Sequence, residues 1–255
     1  MIDIHSHILS GIDDGSKDFH TTIEMLKNAV KCGTKEIVAT PHYCIGYGET
    51  PYNKVKEMVQ ELNVKVKTAG IDIDIFHGQE VYYSNNMIKD YEEGIIGTIN
   101  DSKYMLYELP MREFPEDALD TLYEMQLKGL TLIMAHPERY KIIIEKPERI
   151  NDFIEEGILL QMNAGSIEGK FGKEVKKTAE ILLKNNVYNF IGSDAHGVGS
   201  RCTGINYALD ECSKIDINIK DHFYESSNNM LNNKNVSFEG QKIKPKKSIF
   251  SFFRK

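Results

Sequence analysis

Seven short apolar segments, at residues 2–4, 36–40, 73–76, 104–107, 131–134, 159–162 and 188–191, recur along the chain with amphipathic helical stretches between most of them. No other feature limits the fold so tightly. Parallel strands need a crossover of a dozen or more residues, usually a helix, and strands covered on both faces read as short continuous apolar runs. Residues 21–32 place Ile23, Leu26, Ala29 and Val30 along one helical face. Residues 52–68, 116–128, 147–156 and 173–185 read similarly, and several of these helices run into a glycine or asparagine suited to a left-handed C-terminal position, such as Gly33 and Asn186. The alternation predicts a parallel sheet with its helices outside it. A chain of 255 residues is the usual size for one α/β barrel. The expected fold is a single-domain, distorted (β/α)7 TIM-like barrel over residues 1–239. Beyond about residue 216 the pattern fades: the asparagine-rich 228–235 predicts loop or ragged strand, and 240–255 a basic tail.

The net charge of −7 argues against bulk nucleic-acid binding, which draws on many phosphate contacts. From Gly240 onward there are five lysines, one arginine and no acid, so the body is more acidic than the whole. No apolar run approaches the roughly 20 residues that cross a bilayer. The first strand is read from Ile2, so the basic and apolar regions of a signal peptide are not expected ahead of it. Cys32, Cys44, Cys202 and Cys212 have neither CxxC spacing nor the density of a disulfide scaffold. A reducing cytoplasm is the expected compartment.

The chemistry-bearing residues fall at the C-terminal ends of the strands, and this favours a barrel over an open sheet, where a ligand site concentrates at a switch point. Strand one ends in His5 and His7, whose spacing of two directs both imidazoles to one side. Asp13 and Asp14 follow in a loop flanked by Gly11 and Gly15; Asp13 is read as a turn cap and Asp14 as a ligand. Strand two ends in Thr40-Pro41-His42, strand three leads to Glu80, strand four to Glu108 and strand five to His136-Pro137-Glu138-Arg139. Strand seven ends in Asp194-Ala195-His196, with Arg201 in the loop beyond. His20, His77 and His222 are read as ordinary structural histidines.

The candidate ligands are thus His5, His7, Asp14, His42, Glu80, Glu108, His136, Asp194 and His196. These nine nitrogen and oxygen donors exceed what one ion needs, since zinc takes four and octahedral ions six. Two or three ions sharing bridging carboxylates fit the number. Imidazole with carboxylate suits manganese, iron or zinc ahead of magnesium or calcium. Three divalent ions against four carboxylates leave a net positive centre, able to hold hydroxide and an anionic substrate, to acidify water and to polarise a P–O bond. Phosphoester hydrolysis is the reaction such a centre favours. Water or hydroxide held there is expected to attack phosphorus directly, without a phosphoenzyme.

The ordered set resembles the polymerase-and-histidinol-phosphatase (PHP) superfamily. More closely, Asp3-Ile4-His5-Ser6-His7-Ile8-Leu9, Gly11-Ile12-Asp13-Asp14-Gly15, Thr40-Pro41-His42, Gly78-Gln79-Glu80, Ala135-His136-Pro137-Glu138-Arg139 and Gly192-Ser193-Asp194-Ala195-His196 resemble the bacterial tyrosine-protein phosphatases of capsule and exopolysaccharide operons, the CpsB/YwqE type. The match runs from residue 2 to about 215. The resemblance implies a distorted seven-stranded barrel (the PHP fold) with three divalent metal ions, usually manganese. His5, His7, Glu80 and Asp194 would hold one ion, Asp14, His42 and His196 a second, and Glu80, Glu108 and His136 a third. His136 and Asp194 would be indispensable to turnover, and Arg139 and Arg201 would grip the phosphate through their forked donors. The implied substrate is the phosphotyrosine-bearing tail of a cognate, membrane-associated bacterial tyrosine kinase. Tyr43, Tyr47, Tyr52 and Phe114 are candidates to line a groove for the aromatic ring. Residues 240–255 read first as a disordered solubilising tail; the alternative is that 242–255, with Ile249, Phe250, Phe252 and Phe253 among basic residues, touches a partner or an anionic membrane at its inner face.

A cysteine-based phosphatase is excluded, because that chemistry needs Cys-x5-Arg and the positions six beyond the cysteines hold Val38, Thr50, Ala208 and Asn218. The amidohydrolase barrels also begin with HxH but usually carry a lysine where Glu80 and Glu108 stand. The rival readings are a histidinol-phosphate or other small-molecule phosphomonoesterase on the same scaffold, and a catalytically silent scaffold of a polysaccharide assembly complex.

Overall fold

The computed structural model describes residues 1–245. Its strands are β1 (Ile2–Ser6), β2 (Glu36–Ala39), β3 (His42–Cys44), β4 (Gly48–Glu49), β5 (Asp74–His77), β6 (Glu80–Tyr82), β7 (Tyr104–Glu108), β8 (Thr131–Ala135), β9 (Leu159–Asn163) and β10 (Phe190–Gly192). Its helices are α1 (Phe19–Lys31), α2 (Tyr52–Thr68), α3 (Met87–Glu92), α4 (Ala118–Leu127), α5 (Lys141–Glu145), α6 (Ile150–Glu155), α7 (Ala164–Glu168), α8 (Lys173–Lys184), α9 (Asn206–Ser213) and α10 (Ile219–Leu231). All seven expected strand segments are present.

The strands close into a curled barrel. Parallel pairs run β1–β2–β5 in one sheet and β10–β9–β8–β7–β6–β3 in the other, with β4 returning antiparallel on β3. β2 and β3 are one stave interrupted at Thr40-Pro41, where proline has no N–H to give a neighbour. β5 and β6 are likewise one stave, broken at Gly78-Gln79. A Cβ on Gly78 would lie 3.2 Å from Val38 and 3.3 Å from Ile99, so the bend packs against the neighbouring stave. The seam between first and last staves closes through the bridge of Ser6 with Ala195, with Asp194 N–H donating to His5 O at 2.8 Å and His7 N–H to Ala195 O at 2.9 Å. Seam and breaks all lie at the C-terminal ends, which is where the barrel is distorted.

Ile4, Val38, Leu106, Ile133, Ala135 and Phe190 fill the interior, and Met230 and Leu231 of α10 join them. Asn100 Nδ2 donates to Leu231 O, and Lys103 N–H to Asn233 Oδ1. These partners precede β7, so α10 plugs the N-terminal end of the barrel. The pattern expected to fade beyond residue 216 is therefore a 13-residue helix, and 228–231 belong to it rather than to a loop or ragged strand. Its buried face contains Ile219, Phe223, Ser226, Ser227, Met230 and Leu231, and the two serines interrupt the apolar stripe that would have revealed it. The stretch 147–156, expected as one helix, is a 3-10 turn (Pro147–Arg149) followed by α6.

Ile243 is buried in the core, and its backbone N–H and C=O pair with the side-chain amide of Asn151. The first residues of the expected tail therefore pack against the body. The rest of that tail, including Lys246, Ile249, Phe250, Phe252 and Phe253, lies outside the described residues. All four cysteines are free, and no helix among the described residues is long and apolar enough to cross a membrane.

Candidate metal centre

The strand ends bring the nine candidate ligands to the C-terminal mouth of the barrel, eight of them in three overlapping groups whose donor atoms lie within 4.8 Å of one another. The first joins His5, His7, Glu80 and Asp194; the second His7, Asp14, His42 and His196; the third His42, Glu80 and Glu108. His136 borders the third, with Nε2 3.0 Å from Glu80 Oε1 and 3.6 Å from Glu108 Oε1.

Glu80 stands at the centre. Its Oε2 is 3.2 Å from His5 Nε2, 3.3 Å from His7 Nε2 and 3.0 Å from His42 Nδ1. His5 Nε2 and His7 Nε2 face each other at 3.2 Å, although each imidazole has its other nitrogen engaged by an acceptor: His5 Nδ1 by Gln161 Oε1 at 2.9 Å and His7 Nδ1 by Asp13 Oδ2 at 2.8 Å. Those partners keep a proton on Nδ1 of each ring and leave Nε2 as the nitrogen that would face a bound cation. Glu80 Oε2, His42 Nδ1 and His196 Nε2 are buried without hydrogen-bond partners. Buried polar atoms are ordinarily satisfied. Several lone pairs aimed at one point and lacking donors suit divalent cations, and the imidazole–carboxylate donor set contains no thiolate. The residues fit a metal cluster.

The electrostatics agree with a site of this kind. Burial opposes ionisation of Glu80, but the imidazoles of His5 and His42 hold its carboxyl well below the usual range. Asp194 is held low in the same way, against its burial, by His5 and His7. Glu108 goes the other way, pushed up to about 9 by burial and then by the charge of Glu80. His136 is lowered to about 4 by burial and by the neighbouring Arg139. His136 and Asp194 also have positive φ, 36° and 50°, a conformation that costs a non-glycine residue on the order of 1 kcal/mol and tends to be kept at functional sites.

Arg139 Nη1 donates to Asp194 Oδ2 at 2.8 Å and Arg201 Nη2 to Asp194 Oδ1 at 2.7 Å, while Asn163 Nδ2 adds a bond to Oδ2 at 2.7 Å. Both arginines line an open cleft of ≈ 250 Å³ at the candidate ligands, and the Arg139 guanidinium lies 4.6 Å from the Phe171 ring centroid. Arg201 Nε is buried without a partner. Cys44 also lines the cleft; burial and then Glu108, Glu49 and Glu80 push its thiol up, so it is not a ready thiolate.

Of the four aromatic residues expected to form a groove, the structure places Tyr47 in the cleft, with its ring edge-on to His42 at 5.8 Å. The other three are structural. Tyr43 is buried, the Tyr52 hydroxyl donates to Thr98 O, and Phe114 packs edge-on to Tyr140 and Phe153. Tyr82, not singled out from sequence, lines the cleft instead. His77 and His222 lie away from it, His77 beside Asp101 and His222 at the Tyr188 carbonyl, and His20 lies in α1. Sequence reasoning also missed Gln161 and Asn163. They alternate on β9, a strand ending in amides where its neighbours end in His, Asp or Glu, and that spacing of two was the available signal. Glu138, in the same turn as Arg139, is fully buried and accepts from Asn163 N–H and Tyr188 OH, both at 2.9 Å.

Comparison with known proteins places these features in a wider set. The family model for capsular polysaccharide synthesis, CpsB/CapC, matches residues 1–233. Tyrosine-protein phosphatase YwqE of Bacillus subtilis (strain 168) is 33% identical over 254 residues, covering 99% of this chain and 100% of that protein. Tyrosine-protein phosphatase CpsB of Streptococcus pneumoniae is 31% identical over 219 residues, covering 84% and 90%. A crystal structure from work on those two proteins, described as unique metal-dependent tyrosine phosphatases, superposes with a TM-score of 0.91 at 33% identity, over 96% of this chain and 100% of its own.

Proposed function

We infer the reaction of this centre from one premise: the chain belongs to the CpsB/CapC family of capsular polysaccharide synthesis proteins. It is a metal-dependent protein-tyrosine phosphatase of capsule synthesis. The observation that carries this reading is the buried Glu80 carboxylate, whose Oε2 lies within 3.0–3.3 Å of three imidazole nitrogens and has no hydrogen-bond partner.

Three divalent ions, manganese by preference, fit the three groups of donors. Glu80 belongs to two of them, His7 to two and His42 to two, while His136 completes the third. When bound, such ions acidify water and polarise a phosphoryl oxygen. The chain supplies the rest. Arg139 and Arg201 enclose Asp194 from two sides and keep guanidinium surface toward the cleft, so a phosphoryl group entering there meets donors for its peripheral oxygens. Stacking on Phe171 limits the directions in which Arg139 can turn. Tyr47 and Tyr82 supply the walls against which a phenyl ring can lie. With Cys44 poorly suited to ionise and no Cys-x5-Arg motif, the phosphoryl group passes directly to water and no phosphoenzyme forms.

The substrate we propose is phosphotyrosine on the tail of a bacterial tyrosine kinase, met in the cytoplasm at the inner face of the membrane, with the basic residues beyond 245 available for peripheral membrane contact. The test sets the purified, manganese-loaded protein on a phosphotyrosine peptide beside histidinol phosphate. Turnover of the peptide, lost on chelation and restored by manganese, is expected. Turnover of histidinol phosphate alone would overturn the substrate, and turnover of neither would leave a scaffold as the better account.

A further inference from the structure

The loop between β1 and α1 is built around a carboxylate from which the sequence predicts only a turn cap. Gly15 comes so close to His7 that a Cβ there would stand 2.3 Å from the His7 carbonyl oxygen and 2.4 Å from the His7 Cβ. Ser16 N–H donates to His7 O at 3.0 Å, and Gly11 N–H to Ser16 O at 2.8 Å. The chain is thereby folded back on its own strand end, and Asp13 is carried against the His7 ring. The side chains of the pair are both 0% exposed. Every contact of the carboxylate is directional: Oδ2 accepts from His7 Nδ1 at 2.8 Å and from the His42 backbone N–H at 3.1 Å, and Oδ1 accepts from Gly15 N–H at 2.9 Å. Asp14, one residue on, is 38% exposed and faces His196 and His42 instead.

An ionised carboxylate accepts hydrogen bonds and donates none, so His7 Nδ1 carries a proton and Nε2 is the nitrogen left facing Glu80 Oε2 at 3.3 Å and Asp194 Oδ1 at 3.4 Å. His7 belongs to two of the three donor groups, and Asp13 also holds the backbone of His42, which belongs to two as well. We propose that Asp13 is a positioning residue of the metal centre, fixing the tautomer and tilt of His7 and tying the His7 strand end to that of His42. This rests on the polynuclear reading of the site given above. A carboxylate behind a ligating imidazole orients the ring and raises its basicity, and loss of such a partner typically costs 10–100-fold in metal affinity.

The experiment compares wild type, Asp13→Ala and Asp13→Asn as full chains. It measures manganese affinity by competition against a fluorescent chelator, metal content by mass spectrometry, and the melting temperature of each chelated protein. Asp13→Ala is expected to weaken manganese binding by about 10–100-fold. Asp13→Asn keeps an acceptor oxygen but loses the charge, and should fall between Asp13→Ala and wild type. If Asp13→Ala does not fold, a folded Asp13→Asn with weakened manganese binding supports the proposal, and one with wild-type affinity overturns it. A folded Asp13→Ala that binds manganese as wild type does, losing only thermal stability, makes Asp13 a structural cap and overturns the proposal. Wild-type protein that binds no manganese overturns the metal reading first, and this proposal with it.

Discussion

Gly192→Ala should damage the centre through a single methyl group. Gly192 ends β10 beside the first stave, and a Cβ there would lie 2.5 Å from His5 Cβ, 3.0 Å from Gln161 Nε2 and 3.1 Å from His5 N. Carbon atoms rest at about 3.5–4.0 Å, so β1 and β10 must part by roughly 1 Å. His5 cannot swing aside, because it is buried and its Nδ1 is held by Gln161. Overpacking of this kind costs about 1–3 kcal/mol, and in a domain of this size each kcal/mol moves Tm by about 2–4 °C. The chelated protein should therefore melt about 2–12 °C lower. A misplacement near 1 Å at a reacting centre can cost about 100-fold in rate. Scanning calorimetry of the chelated protein and kcat on a phosphotyrosine peptide with saturating manganese provide the two readings. Gly197→Ala is the control, since a Cβ there meets no heavy atom within 4 Å. Wild-type Tm and kcat in Gly192→Ala, or equal damage in Gly197→Ala, would refute the reasoning.

Other outcomes follow from the same geometry. His136→Ala and Asp194→Ala should each reduce turnover to background while far-UV circular dichroism stays that of wild type; full activity in either contradicts its place at the centre. Arg139→Ala should weaken competitive inhibition by inorganic phosphate by about 10–100-fold, the equivalent of one hydrogen bond to a charged group at about 1.5–3 kcal/mol; an unchanged inhibition constant counts against its role. Cys44→Ser should keep turnover within about threefold of wild type, because a half-buried thiol with a raised pKa acts only as lining; loss of activity with a normal metal content would reopen covalent catalysis.

The staves were legible because each is a short apolar run, and the residues gathered at the mouth because each follows the end of such a run. His5 and His7 needed only the two-residue period of a strand. α10 was hidden for a local reason: Ser226 and Ser227 lie in its buried stripe, and small hydroxyls pack there without contributing hydrophobic signal. The aromatic groove was misread because burial decides what an aromatic does. Tyr43 packs inward, and the ring of Tyr52 lies where a Cβ on Gly97 would be 2.3 Å away. The orienting residues offered only their spacing of two on β9, and nothing local named their partners, since Gln161 acts on a histidine 156 residues distant and Asn163 on an aspartate 31 residues away. Asp13 is the near exception, six residues from His7, and its meaning depends on how tightly Gly15 turns.

The most direct test of the polynuclear centre is anomalous diffraction from a crystal of the manganese-loaded protein. Three manganese peaks are predicted: one among His5, His7, Glu80 and Asp194, one among Asp14, His42 and His196, and one beside Glu80, Glu108 and His136. A single peak, or none within reach of Glu80, would contradict the account.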